Sequence, residues 1–353
     1  MKNKIIGTVR ISAVLIIAVF LLANWTTING QAAKVKFVSG DHKVDVIIGG
    51  KQFTSYQYPS NMEKPFLFPV YAPCGSVITR GFPLQPRPKE RVDHPHQVGI
   101  WFNHGDVNGL DFWNNSSAIP AEKKSTYGHI VVKEIVNAKG GKKGTLDVIS
   151  EWKDYKENTL LVENTKYIFS GDKNSYTIDH VSTLTAANGT VTFTDNKEGM
   201  FAIRVDRAFE MPTNQPAVYT DSQGNPQKVP VSDNTGVTGM YTSSSGLKGD
   251  DVWSSRNDWV LLSGTKDNVL TTFGFWDHPK NYGYPGHSHA RGYGLFSTNN
   301  LGSQVYNKND EKIVVTLQKG ESITLRHRFY IQSGAEITPE KANQIFKAFS
   351  ALY

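Results

Sequence analysis

From Lys34 onward, short runs of β-branched and aromatic residues recur along the chain, each broken by a cluster of Gly, Asn, Asp or Ser. Runs of this length cannot bury a face alone, so the pattern confines the chain to paired strands stacked as a sandwich or closed as a barrel. Val44 to Ile48, Gly49-Gly50 and Gln52 to Tyr56 read as a hairpin, since two glycines accept the positive φ angles of a tight turn. Ile130 to Val136 with Leu146 to Trp152, Thr159 to Ser170 with Tyr176 to Ala186, and Ile313 to Leu317 with Ile323 to Tyr330 read as three more. Helical spacing occurs only at the end. There Thr338 is placed to cap, Pro339 to open the first turn, and Ala342, Ile345, Phe346, Phe349 and Leu352 to form one apolar stripe. The fold expected is all-β: one large β-sandwich domain over residues 34–353, with a C-terminal helix and a long loop insertion at about 212–251.

The chain opens on a basic stretch, a 13-residue uncharged segment from Ile11 to Ala23, and then the small pair Ala32-Ala33. This order is that of a secretory signal peptide over residues 1–33. Thirteen helical residues span about 20 Å, short of a bilayer core, so stable membrane insertion after cleavage is not expected and a retained anchor is the alternative. The protein is therefore expected to be exported, to the periplasm or beyond the cell. Net charge is +6, and Lys2, Lys4 and Arg10 of the leader account for three of the cations. The remaining surplus is too small, and too evenly spread, to suit nucleic acid. Cys74 is the lone cysteine and forms no intramolecular disulfide; between Pro73 and Gly75 it reads as a small buried residue.

Histidines cluster twice. His94, His96 and His104 lie within eleven residues, and His278, His287 and His289 within twelve, each group beginning with Asp-His-Pro (Asp93, Asp277). An extended chain would turn His94, His96 and His104 to one face, and would do the same for His287, His289, Arg291, Tyr293 and Leu295. Imidazoles transfer protons near neutral pH, and a guanidinium holds a carboxylate or oxyanion. His96 and His289 are thus candidate proton donors and Glu198 the candidate base. Arg80, Arg204 and Arg291 would orient substrate oxygens, with Asp93, His94, His104, Asp277 and His278 completing or supporting the site. The competing reading makes each Asp-His-Pro a turn in which Asp accepts a local N–H. Histidines spaced this way also suit a metal on strands, although no further ligand occurs at a recognisable spacing. Trp101, Trp113, Trp253, Trp259 and Trp276 can stack on sugars or fill a core. No phosphate-cradling loop, nucleophile elbow or cysteine-based metal site occurs, so no cofactor is expected.

A set of segments running from about Pro65 to Gly302 resembles a bacterial family labelled "methane oxygenase PmoA". They include Pro69-Val70-Tyr71-Ala72-Pro73, Thr79-Arg80-Gly81, Asp93-His94-Pro95-His96, the run from Trp101 to Gly109, Asp111-Phe112-Trp113, Glu198-Gly199-Met200, Asp277-His278-Pro279 and the run from His289 to Phe296. The resemblance implies an exported protein tied to carbohydrate, with a sandwich similar to that of aldose mutarotases. It does not imply methane oxidation, whose true membrane subunit is a helical bundle. Gln97-Val98 and Ser288 depart from the family's pattern and point to reduced activity or a shifted substrate. The function expected is acid/base chemistry on a sugar or sugar derivative, as an isomerase, hydrolase or lyase with a small-molecule or oligosaccharide ligand. The alternatives are a non-catalytic carbohydrate-binding envelope protein and a metal-dependent enzyme using both histidine groups.

Overall fold

The computed structural model describes residues 32–353, so the expected leader lies outside the described residues but for its last two. Two eight-stranded antiparallel sheets face each other. The first runs β1 (Val35–Gly40), β2 (Lys43–Ile48), β3 (Lys51–Gln57), β4 (Phe66–Leu67), β5 (Ile100–His104), β11 (Gly199–Arg204), β18 (Leu295–Asn299) and β17 (His287–Ala290). The second runs β14 (Met240–Ser243), β15 (Trp259–Lys266), β16 (Val269–Asp277), β20 (Ser322–Ser333), β9 (Ser175–Ala186), β8 (Thr159–Gly171), β7 (Gly144–Lys153) and β6 (His129–Lys139). Two short ribbons complete the strands: β10 (Val191–Thr194) with β19 (Val314–Leu317), and β12 (Ala217–Thr220) with β13 (Pro226–Val229). Among the described residues no helix is long and apolar enough to cross a membrane.

Strand β7 buries every second residue, as a strand with one face on the core must. The apolar sets from both sheets meet in one core that includes Val46, Phe53, Val148, Phe169, Ile178, Phe201, Phe275 and Phe329. Strands β5, β11, β17 and β18 differ, because every residue in them is buried. Their outer face is covered as well. Phe66, Phe68, Val98 and Trp113 pack there on Trp101, Ala202 and Leu295 as a second apolar cluster. This covered outer face is where the candidate residues collect.

Helix α1 (Pro339–Ser350) begins as expected, with the Thr338 side chain accepting from the Lys341 N–H and Pro339 in the first turn. Ala342, Ile345 and Phe349 pack with Trp259, Leu261 and Trp276, and the Trp276 indole donates to the Ala342 carbonyl at 2.9 Å. Trp259 and Trp276 are thereby helix anchors, not sugar platforms.

Three local expectations need correction. Ile313 to Leu317 does not form a hairpin with the strand after it: β19 pairs with β10 while β20 enters the second sheet between β16 and β9. A tight turn joins them, but each strand pairs elsewhere. The 212–251 stretch is not loop alone, since it carries the β12–β13 ribbon and β14, an edge strand of the second sheet. Cys74 is exposed, because it sits at the tip of the turn closed by the Tyr71–Val77 bridge. Removing the helix anchor provides a direct check. Phe349→Ala is expected to cost about 3 kcal/mol in denaturant unfolding, whereas Lys347→Ala on the exposed side should stay within about 0.5 kcal/mol.

Candidate functional site

The first histidine group is set by a turn, not by the extended chain expected. Strand β5 starts only at Ile100, and residues 93–98 form turns before it. Gly99 makes the junction: its φ is +60°, and a Cβ there would lie 2.2 Å from the Leu67 carbonyl oxygen. His94 also has positive φ, which costs a non-glycine residue energy and requires fixing from outside. Arg80 and Arg204 supply the fixing. Both are buried, and both reach one carboxylate oxygen, Asp93 Oδ1, at 2.6 and 2.7 Å. Arg80 also donates to the carbonyls of Asp93, His94 and Gln97, and Arg204 to Gln97 Oε1 at 2.5 Å. Burial works against the charge on Asp93, but Arg204, His94 and Arg80 hold its carboxyl far below the ordinary range. Burial and the neighbouring Arg204 push Arg80 down to about 9, which leaves it charged at neutral pH. Arg80 and Arg204 were expected to grip substrate; the structure commits both to the turn.

The second group is likewise folded back. Instead of one strand from His287 to Leu295, β17 ends at Ala290, residues 291–294 turn, and β18 returns antiparallel to it. Alternation puts Ala290 and Phe296 in the core and leaves His289, paired with Ser297, on the outer face. Arg291 and Tyr293 fall in the turn. Tyr293 then joins the two groups: its ring stacks on His94 with centroids 5.3 Å apart, and it lies under the guanidiniums of Arg204 at 4.8 Å and Arg291 at 5.8 Å. His94 and His96 lie edge to face at 5.6 Å.

Glu198 precedes β11 on the same side. Its Oε2 stands 3.8 Å from His289 Nδ1, and both atoms are buried without a hydrogen-bond partner. At that separation neither satisfies the other, though an oxygen between them would satisfy both. Burial raises the Glu198 carboxyl, with Lys197 opposing. Burial, then Arg291, pushes His289 down to about 3, and burial, then Lys64, pushes His96 down to about 2. Both imidazoles are therefore neutral at physiological pH. The proton-donor role expected for them would need the imidazolium form that burial disfavours.

His104, Asp277 and His278 are not part of this assembly. His104 faces the inner core, donates from Nε2 to the Thr194 carbonyl at 2.8 Å, and is pushed down to about 4 by burial. Asp277 accepts from the His278 and Gly286 N–H groups and from the Asn281 and Asn300 amides, while burial pushes it up to about 6. His278 donates to the Leu352 carbonyl beyond α1. The second Asp-His-Pro is thus a network that ties the helix end to the sheet, as the turn reading had it. Among the described residues no three His, Cys, Asp or Glu side chains are grouped to hold a metal.

Four residues of the site went unassigned on sequence. Lys64 is buried, has only the Trp113 carbonyl at 3.4 Å, and shares a cavity of about 20 Å³ with His96; burial pushes it down to about 7 against Asp111 and Glu63. Tyr293 is the second, and the third is Tyr306, which stacks on His287 at 4.7 Å and meets His289 edge-on at 6.3 Å. Trp253 faces Arg291 at 5.6 Å. Tyr293 carried a signal, as a member of the face expected with His289 and Arg291, and Trp253 carried one as a tryptophan able to stack on a sugar; nothing local marks a lysine that tertiary structure will bury.

A family model fits residues 43–347. The chain belongs to a family of unknown function, DUF6807. No curated protein matches it. Among solved structures it is similar to the galactosidase domain of an alpha-galactosidase-sucrose kinase, at 10% identity and a TM-score of 0.35, over 87% of this chain and 41% of that one. It is similar also to the Slr1438 protein of Synechocystis sp. PCC 6803, at 10% identity and 0.33, over 86% and 92%. A third is a galactose mutarotase related enzyme from Lactobacillus acidophilus, at 8% identity and 0.27, over 85% and 97%.

Two measurements check the electrostatics of this DUF6807 protein. Asp93→Asn leaves two buried guanidiniums without a counter-charge and is expected to cost about 3 kcal/mol, read from chemical unfolding. Histidines lowered in the folded state bind protons only after unfolding, so their contribution is complete above the unfolded value of about 6.5 and is lost as pH falls. With His96, His104, His289 and His327 all lowered, the melting temperature should fall steadily from pH 6.5 to pH 4, and His104→Gln should flatten that slope.

Proposed function

We propose that this protein acts on a sugar or sugar derivative by proton transfer at the outer face of β5, β11, β18 and β17. The observation that carries the reading is the pair of unpartnered buried atoms, Glu198 Oε2 and His289 Nδ1, 3.8 Å apart. A sugar oxygen seated between them would complete both. Burial makes Glu198 a stronger base than an ordinary carboxylate, since the anion is poorly solvated. It takes a proton from a substrate hydroxyl or from a carbon beside a carbonyl, and as the carboxylic acid returns it at another atom. His289 holds the oxygen throughout. Tyr293 and Trp253 supply ring faces of the kind on which pyranoses stack.

We propose also that the protein is exported, on the basic, apolar and small-residue opening of the chain, and that it is kin to the PmoA-labelled family whose segments it resembles. A metal-dependent reaction is not proposed, because the histidines expected to share an ion are separated into the site, the core and the helix contact.

A screen of mono- and disaccharides for anomerisation by NMR, and for hydrolysis and elimination by product analysis, tests the reading. Glu198→Gln and His289→Ala should each lower turnover about 100-fold or more with little change in melting temperature. Turnover should rise with pH through the raised pKa of Glu198, because the base must be ionised. Full turnover in both variants excludes the pair as catalytic, and saturable glycan binding without product assigns a carbohydrate-binding role instead.

A further inference from the structure

Ala290, the residue after His289, lines a cavity of about 490 Å³ that is walled by Arg291, Tyr293, Trp253, Asp250, Arg91 and the segment from Met211. Arg91 is neutralised there by Glu210 at 2.7 Å. Arg291 is not: among the described residues its guanidinium has neither an ion pair nor a hydrogen bond, and it rests on the rings of Trp253 and Tyr293 at 5.6 and 5.8 Å. Stacking of this kind fixes the plane of the fork while leaving its N–H groups free to donate. The Trp253 indole Nε1 is buried and also lacks a partner. Asp250 is the one carboxylate on the wall and has no partner of its own; like Arg291 it is exposed, so solvent screens the attraction between them. Below the cavity, Arg80 and Arg204 share the single carboxylate of Asp93, which leaves one positive charge in excess beneath Tyr293. The surroundings therefore favour a planar anion facing Arg291.

We infer that this cavity is a carboxylate subsite, and that the substrate is a uronic acid or a glycan ending in one, with Arg291 taking the carboxylate through two parallel N–H donors. This deepens the reading given above and rests on it: a ring stacked over Tyr293 with its carboxylate on Arg291 has its remaining oxygens toward Glu198 and His289.

Calorimetric titration of the full chain with D-glucuronate and D-galacturonate, each against its uncharged amide, provides the test. At least one acid should bind about tenfold or more tightly than its amide, the gain expected of hydrogen bonds to a charged group. Arg291→Gln should close that gap without shifting the melting temperature, and Arg291→Lys should restore only part of it. An amide bound as tightly as its acid overturns the inference and leaves the sugar reading standing. A gap that persists in Arg291→Gln overturns the role of Arg291. If neither acids nor amides bind, while neutral mono- and disaccharides do, the anionic substrate class falls alone; if no sugar binds, both readings fall.

Discussion

One carboxylate between two buried guanidiniums holds the candidate site in shape. Removing an arginine from water costs several kcal/mol, and the cost is offset only where counter-charge and hydrogen-bond acceptors converge on it. Asp93 supplies the charge, and the carbonyls of residues 93–97 supply the acceptors. The chain between Asp93 and Gln97 must therefore take the one path that turns its carbonyls inward, and this explains why His94 tolerates positive φ. With that path fixed, His94 stacks on Tyr293 and His96 is pressed toward Lys64. The arrangement resembles a keystone: the arginines are buried because the turn satisfies them, and the turn exists because they are buried.

The same desolvation sets the chemistry. Four elements that are buried on both faces exclude water from Glu198, His96 and His289, and exclusion favours the uncharged form of each. The imidazoles become neutral, each with one N–H and one lone pair, and the carboxylate becomes more basic, and a buried atom of Glu198, His96 and His289 each is left without a partner. Only an incoming oxygen or proton donor completes them. His180 and His327, stacked with Phe201 in the inner core, show that burial alone does not make a histidine functional. His327 too has a carboxylate 3.8 Å away, at Asp277, but its Nε2 pairs with Asn300 and Asp277 is satisfied by its own donors. What separates His289 is that its facing atom and the Glu198 oxygen beside it are both unpartnered.

Strand-by-strand legibility followed from how many faces each strand buries. The pairs β2–β3, β6–β7 and β8–β9 were readable because local turns join them, and in β7 and β8 one wet face also writes a period of two into the sequence. The helix was readable from Thr338 and Pro339 for the same local reason. Strand β19 misled because pairing with β10 is a long-range choice that no turn residue records. The histidine segments misled because Pro95 and Gly99 bend the first and Gly292 and Gly294 the second, so that period-two facing does not persist from His94 to His104 or from His287 to Leu295.

By itself the sequence determined the all-β class, the terminal helix and the short stretches from which the candidate residues come, since turn chemistry and side-chain alternation act between neighbours in the chain. Only tertiary structure decided which of those residues meet. It brought Glu198 to His289 and set Tyr293 between His94 and Arg291. It gave Arg80 and Arg204 to a turn, and it sent His104 into the core and Asp277 and His278 to the helix end. Charge state was decided at the same level, because a pKa depends on how much water remains around a group, and that is a property of the packed sheets and not of the residues on either side.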